Sequence, residues 1–292
     1  TPREALDGLS KTYITEYSYG IVETFNLFIS RFQGGGNYED IGTDSNTYKF
    51  LSTRTDPRQA RQFVQFAPMY WGQQPIVEAP AYIGAILIFL FVLGIFIVKG
   101  KLKRWLVAVT LFSILLSWGK NASLIKNFFI EYVPLYNKFR AVSSIQVLAE
   151  LAVPLLGVLG LSTFISNKIP AEQKLIALKK TLYITGGLAL FFVVAGTSLF
   201  NFEGLRDTSY DQMLPGLLDA IIADRKVLFF KDSLRTTILI GLSAGTLWLY
   251  LKSKIKSTPL IAILGLLILF DLIGVNRRYL NSDNFQSANQ ID

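Results

Sequence analysis

The sequence predicts an all-α membrane protein: a polytopic bundle of about six transmembrane helices with interfacial helices on its extracytoplasmic face. Three observations carry this. Hydrophobic residues make up 51% of the 292 and mean hydropathy is +0.39. Several apolar runs are long enough to cross a hydrocarbon core of about 30 Å. Lysine and arginine gather in every second loop between those runs. The runs are too continuous for the alternating strands of a membrane barrel.

Residues 1–79 come first and face water. Within them, 19–32 places Ile21, Phe25, Phe28 and Ile29 at helical spacing and reads as an interfacial helix. Gly34, Gly35 and Gly36 end it; they read as a flexible outside loop, because no strand precedes them and no Walker lysine follows. The polar stretch 37–61 reads as a loop with a turn near Asp56 and Pro57. A second amphipathic stretch, 58–70, leads into Trp71, Gly72, Gln73, Gln74 and Pro75 at the membrane edge. Spans are then expected at 80–98, 106–118, 142–165, 181–200, 236–251 and 258–275. The second is short and leans on Trp105 and on the snorkelling side chains of Lys103 and Arg104. The loop 201–235 is expected to hold an interfacial helix around 217–230.

The basic residues orient the spans. Lys99, Lys101, Lys103 and Arg104 follow the first, Lys168, Lys174, Lys179 and Lys180 the third, and Lys252, Lys254 and Lys256 the fifth. The positive-inside rule puts these loops in the cytoplasm. Residues 1–79, the loops 118–140 and 201–235, and 276–292 then lie outside, with 80–275 as the six-span bundle. Both ends outside, a first residue Thr1 and no signal peptide make the chain read as an internal piece of a longer protein. Further helices are expected before Thr1, and 276–292 is expected to begin an extracytoplasmic C-terminal region.

The chain has no histidine and no cysteine. That excludes thiol nucleophiles, disulfides, imidazole catalysis and the usual zinc sites within it. Proton transfer would fall to Asp, Glu, Lys or Tyr. The net charge of +8 sits largely in the cytoplasmic loops, where topology and anionic lipid account for it, so membrane lipid rather than nucleic acid is the expected partner. No cofactor is legible.

Four features could carry chemistry. In the loop 118–140, Lys120, Lys126, Lys138 and Arg140 outweigh Glu131, and Phe128, Phe129, Tyr132, Tyr136 and Phe139 can seat it among headgroups; Pro134 interrupts it. Such a loop suits a phosphate or diphosphate, or simple headgroup anchoring. Glu150 and Asp271 fall within the third and sixth spans, where a charge is costly unless paired or hydrated. They read as a proton or substrate path, or as structural pairs, with Arg277 and Arg278 near Asp271 as partners. Glu23 at the outer interface is a candidate for binding a sugar hydroxyl or metal, for acting as a base, or for an ordinary polar face. The triglycine is the weakest of the four.

The segments YSYGIVETFNLFISRFQGGG, YWGQQPIVEAPAYIGAI, SWGKN, YNKFRAVS and DLIGVNRRYLN, in that order, resemble the bacterial YfhO-type membrane proteins. The resemblance implies a relation to GT-C glycosyltransferases, which add sugars to cell-envelope polymers from polyprenyl-phosphate donors at the outer face of the cytoplasmic membrane. It implies a donor-phosphate role for Lys120, Asn121, Lys138 and Arg140, and a sugar-stacking or interfacial role for Tyr70 and Trp71. The carboxylate that serves as base in such enzymes would precede Thr1, so Glu23 does not inherit that role. A transporter or lipid flippase with Glu150 and Asp271 along its path, and a non-catalytic envelope protein, are the alternatives.

Overall fold

The computed structural model describes residues 9–285, apart from residues 135 and 139 and the side chains of 137 and 283. Each expected span corresponds to a helix, and no strand occurs among the described residues. In chain order the helices are α1 (Lys11–Ile14), α2 (Asn46–Ser52), α3 (Pro57–Gln65), α4 (Ala85–Ile97), α5 (Lys101–Ser117), α6 (Ser123–Tyr132), α7 (Val147–Ile165), α8 (Ala171–Leu199), α9 (Thr208–Met213), α10 (Leu217–Leu251) and α11 (Ser257–Tyr279). Four stretches, Val142–Ile165, Ala171–Leu199, Leu217–Leu251 and Ser257–Tyr279, are long and apolar enough to cross a membrane. The first 1–8 and last 286–292 residues of the expected outside segments, and Phe139, lie outside the described residues.

The first apolar run forms a shorter helix than 80–98 suggests. Residues before Ala85 are pulled out of helical geometry: the Ile83 and Gly84 amides both donate to Leu27 O, at 3.1 and 3.4 Å. Asp271 on α11 then caps α4, its Oδ2 accepting from Ala85 N at 3.0 Å. The remaining 13 residues rise only about 20 Å. Alongside, α7 approaches α4 closely enough that only glycine fits. A β-carbon on Gly94 would stand 2.6 Å from Leu156 O, and one on Gly160 2.8 Å from Gly94 Cα. Small residues let two helix backbones meet in this way, which is how apolar helices gain contact in lipid.

The largest departure is α10. An interfacial helix around 217–230 and a separate span at 236–251 are in fact one 35-residue helix, about 52 Å long, well beyond the hydrocarbon thickness. Asp224, Arg225, Asp232 and Arg235 do not break it, because they face protein. Asp224 accepts from Asn46 N at 2.8 Å and Thr47 N at 2.7 Å, capping α2. Arg225, 1% exposed, donates to Phe202 O and Pro68 O and pairs with Asp207. Asp232 accepts from Ser30 Oγ at 2.6 Å and is paired with Arg31 and Arg278. The N-terminal half of α10 is thus a post to which the polar segments are tied.

Those segments are not laid on a surface. The stretch 19–32 is no interfacial helix: only Val22–Leu27 is helical, as a 3₁₀ turn, and Leu27, Phe28, Ile29 and Phe32 are at most 5% exposed. Phe32 meets Phe192 and Phe229 edge-on at ring-centre distances of 4.8 and 5.0 Å, so this segment shares one core with α8 and α10. The triglycine is likewise a packed turn and not a flexible loop. Gly34 has φ +92°, and a β-carbon there would fall 1.9 Å from Met69 O. The stretch expected as loop contains α2, and the expected amphipathic stretch 58–70 forms α3, with Asp56 as its N-cap and Pro57 in its first turn, where the Asp-Pro turn signal stood.

Candidate functional site

Three of the short motifs meet at the end of the bundle opposite the lysine-rich turns. The 17–20 segment is held by the Ser117–Asn121 turn that follows α5. Tyr19 N donates to Ser117 O at 2.8 Å, Trp118 Nε1 to Thr24 Oγ1 at 2.8 Å, and Lys120 N to Ser18 Oγ at 2.9 Å. Asn121 Nδ2 donates to Tyr19 O at 2.8 Å. Asn121 is therefore a strut between two loops, with one of its two amide N–H groups engaged by the backbone. Its effect is to aim the neighbouring Lys120 outward, and Lys120 is exposed.

Beside this lies the Tyr70–Pro75 loop, organised around Glu23. That carboxylate is fully buried and is not at an open interface. Its Oε1 accepts from Tyr70 Oη at 2.6 Å and Gln74 Nε2 at 2.9 Å, and Oε2 accepts from Gly20 N at 2.9 Å. With three donors engaged and no cation paired to it among the described residues, Glu23 fixes the loop and meets no ligand. Burial first, then the Glu23 charge, raises the Tyr70 hydroxyl above its usual range, so it remains a protonated donor. Trp71 is 7% exposed and packs against Phe200 and Phe202 at ring-centre distances of 5.8 and 4.9 Å. It anchors the loop in the core and has no face free for stacking on a sugar.

The basic residues of 118–140 do not all converge. Lys120 and Lys126 line a hollow of about 440 Å³ together with Lys11, Glu16 and Gln73. Lys11 is bonded to Glu131 at 2.9 Å, whereas Lys120 and Lys126 have no ion-pair partner among the described residues. Arg140 stands at the edge: it pairs with Glu16 at 2.9 Å, donates to Tyr13 Oη at 3.0 Å and lies over the Tyr13 ring. On its other side Arg140 rims an apolar groove of about 370 Å³ lined by Tyr136, Val142, Ile145 and Leu148. Lys138 is exposed in the Tyr136–Lys138 turn and lines neither cavity. As the Pro134 break suggests, α6 stops at Tyr132. It exposes Leu124, Phe128 and Tyr132, one turn apart, on one face.

The two intramembrane carboxylates differ from each other. Asp271 is closed off, 1% exposed, with Arg235 at 2.9 Å, Tyr82 Oη at 2.8 Å and the α4 cap as partners. Its ion-pair partner is Arg235 from α10, not Arg277 or Arg278, because antiparallel packing of α10 on α11 brings Arg235 level with it. Arg278 goes to Asp232 instead. Glu150 is in no ion pair among the described residues; it is exposed on the first turn of α7 and lines a polar hollow of about 350 Å³ with Tyr19, Gln74 and Gln146. Sequence reasoning did not single out Lys11, Gln74 or Gln146. Lys11 is an isolated cation in a polar stretch, and the two glutamines reach the site only through tertiary contacts. Comparison of the chain with protein-family models, with curated proteins and with solved structures finds no match in any of the three.

Proposed function

We propose that this chain is the outer-face and bundle portion of a glycosyltransferase-like protein of the bacterial cytoplasmic membrane. It would take sugar from a polyprenyl-phosphate donor and pass it to a cell-envelope acceptor. The observation that carries the lipid-phosphate part is the pairing of two cavities. A hollow in which Lys120 and Lys126 have no ion-pair partner among the described residues adjoins, across the Arg140–Glu16 ion pair, an apolar groove that opens beside the first turns of α7. An anionic head on an apolar chain matches that sequence of surfaces. In this reading Lys120 and Lys126 hold the donor phosphate and stabilise it as it leaves, and Arg140 positions the junction between head and chain.

The reading takes α4 and α5 as two further spans, giving six, and seats α6 in the outer headgroup layer through Leu124, Phe128 and Tyr132. Sugar transfer itself is supported by the resemblance of the five segments to YfhO-type proteins. The transport alternative needs Glu150 and Asp271 along one path; it gains no support, since three donors occupy Asp271. The test is consumption of a polyprenyl-phosphate-linked sugar by membranes containing the protein. Lys120→Ala/Lys126→Ala is expected to abolish most of the turnover, whereas turnover equal to wild type would refute the assignment.

A further inference from the structure

The polar hollow beside Glu150 has no task in the lipid-phosphate reading, and its lining is unlike that of the lysine hollow. Neither lysine nor arginine lines it. Tyr19, 2% exposed, lines it, and its hydroxyl stands beside the Asn26 side chain but is in no well-formed hydrogen bond among the described residues. A buried hydroxyl without a partner is costly. Burial first, then the charge of Glu23, raises its pKa, so it stays protonated and offers a donor. Gln74 and Gln146 are held by their amide nitrogens, at 2.9 Å to Glu23 Oε1 and 3.1 Å to Ser117 Oγ, which leaves each amide oxygen as an acceptor. Glu150 supplies a carboxylate free of any cation among the described residues.

We propose that this hollow binds the hydroxyl groups of a neutral polyol or sugar. The Tyr19 hydroxyl would donate, and Glu150, Gln74 and Gln146 would accept from neighbouring hydroxyls. An anion is disfavoured by the uncompensated carboxylate at Glu150. No cluster of three or more metal-ligating residues exists among the described residues, so a metal ion is a poor fit. The volume lies at the lower end of the range for small-molecule sites. Gln73 and Pro75 line the lysine hollow and Gln74 this one, so one loop separates an anion site from a hydroxyl site. As the sugar subsite of a lipid-linked substrate the assignment rests on the reading above; as a hydroxyl site it stands on its own geometry.

Saturation-transfer NMR on the solubilised protein tests it, with methyl glucoside, methyl galactoside and glycerol as probes. Wild type is expected to transfer magnetisation to at least one of them. Tyr19→Phe and Glu150→Gln should each weaken that binding about fivefold, the factor that one hydrogen bond contributes. Neither should lower the thermal unfolding midpoint by more than a degree or two, because the Tyr19 hydroxyl is in no well-formed hydrogen bond among the described residues and Glu150 is exposed. Lys120→Ala/Lys126→Ala should leave probe binding unchanged. No transfer to any probe in wild type, or equal transfer in wild type and both hollow variants, would overturn the proposal. Probe binding that depends on Tyr19, together with polyprenyl-phosphate binding that ignores Lys120 and Lys126, would uphold the hydroxyl site and sink the lipid-phosphate reading.

Discussion

At the scale of single residues, Glu23 shows how a carboxylate can look functional in a sequence and be structural in a fold. Its three donors are neutral, so it acts as a hub that holds Tyr70, Gln74 and Gly20 in register. Glu23→Ala would leave these groups short of a partner in a buried place, at about 1–3 kcal/mol each. A thermal unfolding midpoint well below wild type is the expected result, while an unchanged midpoint would remove Glu23 from this role. The Tyr70 hydroxyl carries a pH signature of the same hub. Its folded pKa lies above the unfolded value of about 10. The stability it contributes is therefore full below about pH 10 and falls as pH rises toward the folded value. Unfolding midpoints across the alkaline range should decline in wild type and decline less steeply in Tyr70→Phe. Trp71 and Asn121 carry a related lesson: both sit in motifs that the resemblance marks, yet each supports the site from behind. Their burial is set by partners far along the chain, Phe200 and Phe202 for one and Tyr19 for the other, which no local spacing reveals.

At the scale of helices, apolar continuity was readable and charge was misleading. α7 and α11 follow their apolar runs to within a few residues at either end, because a long, predominantly apolar run in lipid leaves the backbone no option but to satisfy itself, even with one carboxylate in each. In the sequence α10 divides into an interfacial helix and a span, because Asp224, Arg225, Asp232 and Arg235 lower the hydropathy of its first half and Lys231, Asp232 and Arg235 fall at the expected break. Their spacing of seven to eight residues, Asp224 to Asp232 and Arg225 to Asp232, places them on one helical face and was the available sign that they look inward. The glycines divide the same way. Gly94 and Gly160 sit where α4 and α7 touch, whereas a β-carbon on Gly241 in α10 or Gly265 in α11 would meet nothing within 4 Å. Gly94→Ala and Gly160→Ala should each destabilise by about 1–3 kcal/mol through forced separation of the helices. Gly241→Ala and Gly265→Ala should be neutral or mildly stabilising by helix propensity. Equal midpoints in the two pairs would show that the close approach is not what holds α4 to α7.

At the scale of the whole molecule, the lysine-rich turns lie at one end and the polar segments converge on the other, around a post formed by the N-terminal half of α10. The sidedness of that arrangement can be read directly, since the chain has no cysteine of its own. Asn127→Cys on α6 is expected to react with a membrane-impermeant maleimide in intact cells, and Lys254→Cys only after the membrane is opened. Labelling of both from the same side would contradict the orientation. The cavities at the outer end were only half legible beforehand. The excess of basic residues in 118–140 was visible, but which of them share a hollow depends on how Pro134 and the Ser117–Asn121 turn fold the loop back on residues 11–19. The central claim is that Lys120 and Lys126 hold a lipid phosphate. Equilibrium binding of a polyprenyl phosphate to the purified protein, with the uncharged prenol as control, tests it most directly. The account predicts that Lys120→Ala/Lys126→Ala weakens phosphate binding by about tenfold or more, as the loss of charge-assisted hydrogen bonds implies, and leaves prenol binding alone. Equal affinity of wild type and variant for the polyprenyl phosphate would contradict it.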